Sequence, residues 1–221
     1  MTFSRPTSLP VSILSAILLA VPTTATAEDL RTVDEILFSG DPRPTSATVS
    51  IWNGEIPWKS SDTTPAIMDD IRAATAEINA VLAGSRVKFV EAAGKPAALQ
   101  FTFVPPAQLA GKPGSAMPFR PGRIGHTFTF KKQDGSIRGA GIFIANKLPR
   151  ATRQYIIRHE LMHALGIPKH VTYVFDSLLR TNWRMSAAPR ELLDFDRKII
   201  RFVYHHLKPG FTKEQTRRMY D

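Results

Sequence analysis

The stretch His159-Glu160-Leu161-Met162-His163 is the part of this sequence from which its fold and site can be predicted. Two histidines four residues apart on a helix project from one face, close enough for both imidazoles to bind one metal ion. Glu160 is adjacent to the first histidine and can reach a metal-bound water from the same side. The motif therefore predicts a helix that carries a metal site.

The residues after this motif extend the predicted site. Gly166 and Pro168 end the helix soon after the second histidine, and His170 follows at once, so a third imidazole can turn back toward the metal. Three protein ligands with an open fourth position are typical of catalytic zinc, whereas structural zinc is usually closed by four cysteine-rich ligands. The chain has no cysteine. We therefore predict a catalytic zinc site formed by His159, His163 and His170.

The predicted helix is amphipathic, which places the two histidines in a cleft. At about 100° per residue, His159 and His163 lie opposite an apolar stripe that consists of Ile157, Leu161, Ala164 and Leu165. The stripe is expected to be buried in the core. The histidines then face away from that core.

The N-terminal residues have the pattern of a secretory signal. Arg5 supplies a positive start, residues 11–21 form an apolar run, and Ala25-Thr26-Ala27 is a small-residue cleavage site. The run is too short to cross a bilayer of about 30 Å comfortably. We predict a signal peptide at residues 1–27 and one domain at residues 28–221, periplasmic or extracellular, with no stable membrane span once the signal is removed.

The formal net charge of +10 at pH 7 does not identify a partner. A basic surface can attract anionic glycans, cell-wall polymers, lipid headgroups or nucleic acid. The sequence has no interleaving of aromatic and basic residues of the kind that single-stranded nucleic acid binders use. No specific nucleic acid partner is predicted.

Apolar periodicity and turn residues predict an α+β layered domain. The expected helices are at 28–38, 64–84, 152–165 and 190–206. The expected strands are at 47–52, 87–90, 99–104, 124–131 and 138–145, the last two forming a hairpin turned at Asp134-Gly135. A long Pro- and Gly-rich loop is expected at 105–122, and a capping box that opens a short terminal helix at Thr212 to Gln215.

The metal motif resembles the zincin metallopeptidases, and among them the metzincins, whose signature is H-E-x-x-H-x-x-G-x-x-H. Four positions of the signature match, namely His159, Glu160, His163 and Gly166. The third ligand would fall on Lys169, a poor ligand because it is normally protonated. His170 is one residue later and takes the ligand role in this interpretation. Asp176 is the fallback, and Glu191 would serve if the chain followed a different zincin branch.

The resemblance also implies a fold: a zincin-like single domain with a mixed twisted sheet on the active-site helix and a C-terminal helix after a methionine turn, here Met185. The strand at 139–145 would be the sheet edge to which an extended peptide adds. Tyr204 or Tyr155 could be a second oxyanion donor. Three further histidines are expected to be ordinary: His126 in the sheet, and His205 and His206 on the surface.

The function that the resemblance implies is that of a secreted zinc endopeptidase, with Glu160 as general base and peptides or proteins as substrates. The alternative is a non-catalytic secreted binding module with a stabilising zinc site. The C-terminal third also resembles an uncharacterised family of secreted bacterial proteins, at 175–178, 193–197 and 203–210. Many members of that family lack intact metal ligands, so this second resemblance does not by itself imply catalysis.

Overall fold

The computed structural model describes residues 27–38, 48–109, 123–172, 174, 176–180, 183 and 187–219. The predicted signal segment up to Thr26 lies outside the described residues, as do Met185 and most of the predicted loop at 105–122. In the part that is described, no helix has both the length and the apolar character to cross a membrane.

The described residues form six helices and five strands. The helices are α1 (Ala27–Phe38), α2 (Pro65–Val81), α3 (Pro106–Leu109), α4 (Arg150–Ala164), α5 (Asp194–His206) and α6 (Lys213–Arg217). The strands are β1 (Glu55–Ser60), β2 (Lys88–Glu91), β3 (Leu99–Val104), β4 (Gly125–Lys131) and β5 (Ile137–Ala145).

The five strands form one mixed sheet in the order β2-β1-β3-β5-β4. The pairs β1/β2, β1/β3 and β3/β5 are parallel, and β4 runs antiparallel to β5. The expectation that the strand at 139–145 forms the sheet edge is therefore wrong. β5 pairs with β3 on one side and β4 on the other, so among the described residues the two sheet edges are β2 and β4.

The helix that carries the histidines packs against β4, β5 and α2, and α2 in turn contacts α5. Apolar side chains from these elements join one core; Ile71, Ile142, Ile157 and Leu161 are all fully buried in it. Burying such a side chain contributes about 1.5–3 kcal/mol. The predicted α+β class, with a mixed sheet on the histidine helix and a later C-terminal helix, is confirmed.

Two predicted elements differ from the structure. Residues 48–52 do not form a strand, because their pairings are the isolated bridges Thr48–Thr212 and Ile51–Ser136. β1 was not predicted, because Pro57 and the charged residues at its ends hide the alternation of buried Ile56 and Trp58.

The closing helix, α5, begins at Asp194, four residues later than predicted. Its start is fixed by Asp196, whose carboxylate accepts the Leu193 backbone N–H at 3.0 Å. The predicted capping box of α6 is confirmed. Thr212 Oγ1 accepts the Gln215 N–H at 3.2 Å, and Gln215 Oε1 accepts the Thr212 N–H at 2.9 Å.

Two carboxylates of α2 hold α4 in place. Asp70, which is 1% exposed, accepts hydrogen bonds from Arg153 Nε at 2.8 Å and Gln154 Nε2 at 2.9 Å in the first turns of α4. Glu77 accepts Arg158 Nε at 2.8 Å from α4 and Arg197 Nη2 at 2.7 Å from α5.

Replacing Glu77 by alanine should destabilise the protein strongly. The change leaves the Arg158 guanidinium, 9% exposed, without its carboxylate, and breaking a buried pair from one side costs about 3–5 kcal/mol. The free energy of unfolding, measured by urea denaturation, should fall by that order. Glu91→Ala is the matched control, because the pair of Glu91 with Arg72 is exposed, and it should change the free energy far less. Equal losses in the two variants would contradict the role of Glu77.

Candidate metal centre

The C-terminal end of α4 turns the chain back over the histidines. Gly166 adopts φ +86°, its N–H donates to the His163 carbonyl at 3.0 Å, and the Ile167 N–H donates to the Met162 carbonyl at 3.3 Å. This is the Schellman arrangement, which favours glycine at the left-handed position. A Cβ at residue 166 would also lie 1.8 Å from the Ser50 carbonyl oxygen. Glycine is therefore required here both by conformation and by the close approach of Ser50.

The turn brings three imidazoles together. His159 Nε2 lies 3.0 Å from His170 Nε2 and 3.2 Å from His163 Nε2. One ring nitrogen from each of the three histidines lies within 4.8 Å of the others, so the group could hold a metal ion. Zinc–nitrogen bonds of 2.0–2.1 Å in a tetrahedral site place ligand atoms about 3.3 Å apart. The two separations from His159 Nε2 are close to that spacing.

The outward-facing nitrogens of two rings fix their tautomers. His159 Nδ1 lies 2.9 Å from the Leu178 carbonyl oxygen, and His163 Nδ1 lies 2.8 Å from the Ile167 carbonyl oxygen. A carbonyl only accepts, so each Nδ1 carries the proton and each Nε2 of a neutral ring presents a lone pair. Two lone pairs facing each other at 3.2 Å repel, and a cation between them removes the repulsion.

Burial keeps these rings neutral. It lowers the pKa of His159 to about 4, the hydrogen bond to Leu178 acting in the opposite sense. The pKa of His163 is lowered well below its usual value, also mainly by burial and then by the neighbouring histidines. Metal ligation requires deprotonated imidazole nitrogens. The two helical histidines therefore meet that requirement at neutral pH.

A buried network behind His159 holds the Leu178 carbonyl in place. The Leu178 N–H donates to the Asp196 carboxylate at 3.0 Å, and Ser177 Oγ donates to the same carboxylate at 2.7 Å. The Tyr155 hydroxyl donates to the Leu178 carbonyl at 3.2 Å and lies 3.3 Å from His159 Nδ1. Asp196 is fully buried, so this part of α5 orients a ring that it does not touch.

Glu160 is held by the edge strand β4. Thr127 Oγ1 donates to Glu160 Oε2 at 2.7 Å and is also 3.0 Å from the Glu160 carbonyl oxygen. A Cβ at Gly125 would lie 2.5 Å from Glu160 Oε1, so only glycine allows the strand to approach this closely. Burial raises the pKa of Glu160 to about 7, while the Thr127 hydrogen bond and the Arg123 guanidinium act in the opposite sense.

These residues line one cleft of about 520 Å³. One wall of the cleft is formed by β4 and the other by α4. Pro168 and His170, which follow α4, also line the cleft. His126 is on β4, as predicted, and its side chain also lines this cleft. Its Nδ1 accepts a hydrogen bond from Arg123 Nη1 at 3.0 Å.

The other predicted candidates lie elsewhere. Asp176 and Glu191 are exposed and do not belong to the histidine group. The Tyr204 hydroxyl donates to the Leu165 carbonyl at 2.7 Å, so it caps α4 and does not serve as an oxyanion donor. Tyr155, in contrast, also lines the cleft, with its hydroxyl on the Nδ1 side of His159. His205 and His206 are exposed, as predicted.

Four residues of this neighbourhood were missed by sequence reasoning: Arg123, Gly125, Thr127 and Asp196. Gly125 and Thr127 are on the hairpin, which was correctly predicted. The polar residues in its first strand, shortly before the helix that carries the histidines, were the pattern from which their role could have been inferred. Asp196 lies in the Leu193-Asp194-Phe195-Asp196-Arg197 stretch, which was noted only for its resemblance to another family. No local pattern marked Arg123.

Comparison with known proteins adds little beyond the geometry. No protein-family model and no curated protein matches the sequence. Among solved structures, that of myroilysin is similar with a TM-score of 0.44 and 10% identity, covering 73% of this chain and 100% of that chain. A likeness of this size carries no conclusion about activity. The resemblance of the C-terminal third to an uncharacterised secreted family stays a prediction.

Proposed function

We propose that this protein is a secreted zinc-dependent endopeptidase. In this proposal His159, His163 and His170 hold the zinc ion, and Glu160 is the general base. The observation that carries it is the meeting of three imidazole rings and one buried carboxylate in a single cleft. Neutral nitrogen ligands suit zinc, and three of them leave a coordination position open.

The metal and Glu160 have separate tasks in the proposed reaction. When bound, zinc supplies Lewis acidity, which lowers the pKa of water to about 7 and polarises the carbonyl of the substrate. The Glu160 carboxylate accepts the proton of the attacking water and then donates it to the leaving amine. A pKa of about 7 suits a group that must both accept and release a proton near neutral pH.

The proposed substrate is an extended peptide that lies along β4. β4 is at the edge of the sheet and lines the cleft beside Glu160. A peptide added to this edge would be held by main-chain hydrogen bonds, which tolerate many sequences. The Thr127 hydroxyl links the same strand to Glu160, so the strand that would receive the peptide also positions the base.

His170→Ala should sharply lower the zinc content of the purified protein, because it removes one of the three proposed ligands. Lys169→Ala is the matched control, and it should retain nearly full zinc. The measurement is metal analysis after dialysis against a weak chelator. If His170→Ala kept full zinc and Asp176→Ala or Glu191→Ala lost it, the ligand assignment would be wrong.

Glu160→Gln should separate zinc binding from turnover. The variant removes the base but no proposed ligand, so zinc content and folding should match the wild type while peptide hydrolysis falls at least ~100-fold. Casein or a mixed peptide library provides the assay. Zinc-loaded Glu160→Gln with activity within a few-fold of wild type would exclude this mechanism. Zinc-loaded wild type that cleaves no peptide would favour a non-catalytic binding module.

Thr127→Val should lower kcat by ~10-fold or more, because a hydrogen bond to a charged group is lost while the shape is kept. Zinc content and KM should change little. Thr127→Ser retains the hydroxyl and should keep most of the activity. The two variants are compared by steady-state kinetics at one pH. If serine and valine had the same effect, the hydroxyl would not be what positions Glu160.

We also propose export, with cleavage after Ala27. Support comes from the signal-like pattern and from α1, whose Val33 and Ile36 are buried in the core downstream of that point. N-terminal sequencing of the protein recovered outside the cytoplasm should begin at Glu28. Recovery with Met1 retained would contradict the proposal.

A further inference from the structure

Arg123 lies two residues before β4 and lines the cleft together with His126 and the three histidines of the candidate metal site. The side chain of Arg123 is half-buried. Its Nη1 lies 3.0 Å from His126 Nδ1. A guanidinium only donates, so His126 Nδ1 is unprotonated, and in the neutral ring the proton is on Nε2. The pair therefore combines a permanent positive charge with a ring N–H donor.

The guanidinium acts on the His126 ring beside it. The pKa of His126 is lowered first by burial and then by Arg123. Among the described residues that line the cleft, Arg123 and Glu160 are the two that carry a formal charge in their ordinary states.

We infer that Arg123, supported by His126, is a carboxylate-binding subsite that selects peptides with a carboxylate close to the scissile bond. This inference rests on the proposed peptidase function and adds the substrate class. A guanidinium presents a planar set of donors that matches a carboxylate, and such charge-assisted bonds are about twice as strong as neutral ones. Partial burial reduces the screening that weakens exposed charges.

Two sources can supply the carboxylate: the side chain of Asp or Glu, or the free C-terminus of the peptide. Both have the same planar anion, so Arg123 recognises the shared chemistry. A different role for the guanidinium would be to stabilise the negative charge that develops on the carbonyl oxygen during reaction. If that were its role, removing the guanidinium would lower the turnover of every peptide equally, and the bound state would show no carboxylate preference.

The test measures binding without hydrolysis. Zinc-loaded Glu160→Gln protein is equilibrated with a mixed octapeptide library, in one half with free C-termini and in the other with amidated ones, and the retained peptides are sequenced by mass spectrometry. Arg123→Gln is added in the same background, because glutamine removes the charge and keeps an N–H donor. Lys131→Gln is the matched control, since it removes one exposed charge from β4, the strand that follows Arg123.

Peptides with Asp or Glu, or those with free C-termini, should be enriched at least ~10-fold over their amide counterparts, the effect of one charge-assisted hydrogen bond. The enrichment should vanish in Arg123→Gln and persist in Lys131→Gln. Amidation separates the two sources, because it abolishes only enrichment that depends on the C-terminus. Equal retention of acidic and amide peptides, or no retention at all, would overturn the inference.

This result is separate from the test of the proposed function. If wild-type protein cleaves peptides without any acidic preference, the peptidase proposal stands and the subsite is wrong. If carboxylate enrichment depends on Arg123 but the zinc-loaded wild type cleaves nothing, the subsite stands and the peptidase proposal fails.

Discussion

The site depends on two backbone carbonyls that decide which nitrogen of each helical histidine carries the proton. Ile167 and Leu178 accept the Nδ1 protons of His163 and His159, which turns both Nε2 lone pairs inward. The helix alone cannot supply these acceptors. The chain must leave α4 through the left-handed turn at Gly166 and later pass behind His159. Hydrogen bonds from Ser177 Oγ and from the Leu178 N–H to the Asp196 carboxylate hold the segment behind His159 in place.

β4 both approaches α4 closely and donates a hydrogen bond to the Glu160 carboxylate. It must approach α4 closely enough to touch the Glu160 carboxylate, which leaves no room for a side chain at Gly125. It must also offer a donor to that carboxylate, which Thr127 supplies two residues later on the same face. Because side chains alternate between the two faces of a strand, residues 125 and 127 lie on the same face and can both be next to Glu160. The edge strand thus orients the Glu160 carboxylate and lines the cleft.

The sequence was sufficient for the features that depend on local spacing. The helix predicted at 152–165 is α4 at Arg150–Ala164, and the Gly166 stop with a trailing His170 placed three imidazoles together. Features that depend on distant pairing were not predictable in this way. Thr127 contacts Glu160, which is 33 positions later in the sequence. β4 is the outer strand of the hairpin because β5 pairs with a strand on each side. That the side chain of His126 lines the cleft was likewise not predictable, because a position in a strand does not indicate which cleft a side chain borders.

The buried carboxylate of Glu160 also bears on the choice between a catalytic and a purely structural metal site. Burial raises its pKa to about 7, which at about 1.4 kcal/mol per pKa unit is a cost of a few kcal/mol for the ionised form. Metal ligation by three histidines does not require that group. The fold nevertheless encloses it, hydrogen-bonds it through Thr127 and leaves Gly125 without a side chain beside it. This arrangement makes ionisation of Glu160 costly and adds nothing to ligation, and it is what the proposed role of Glu160 as general base would require.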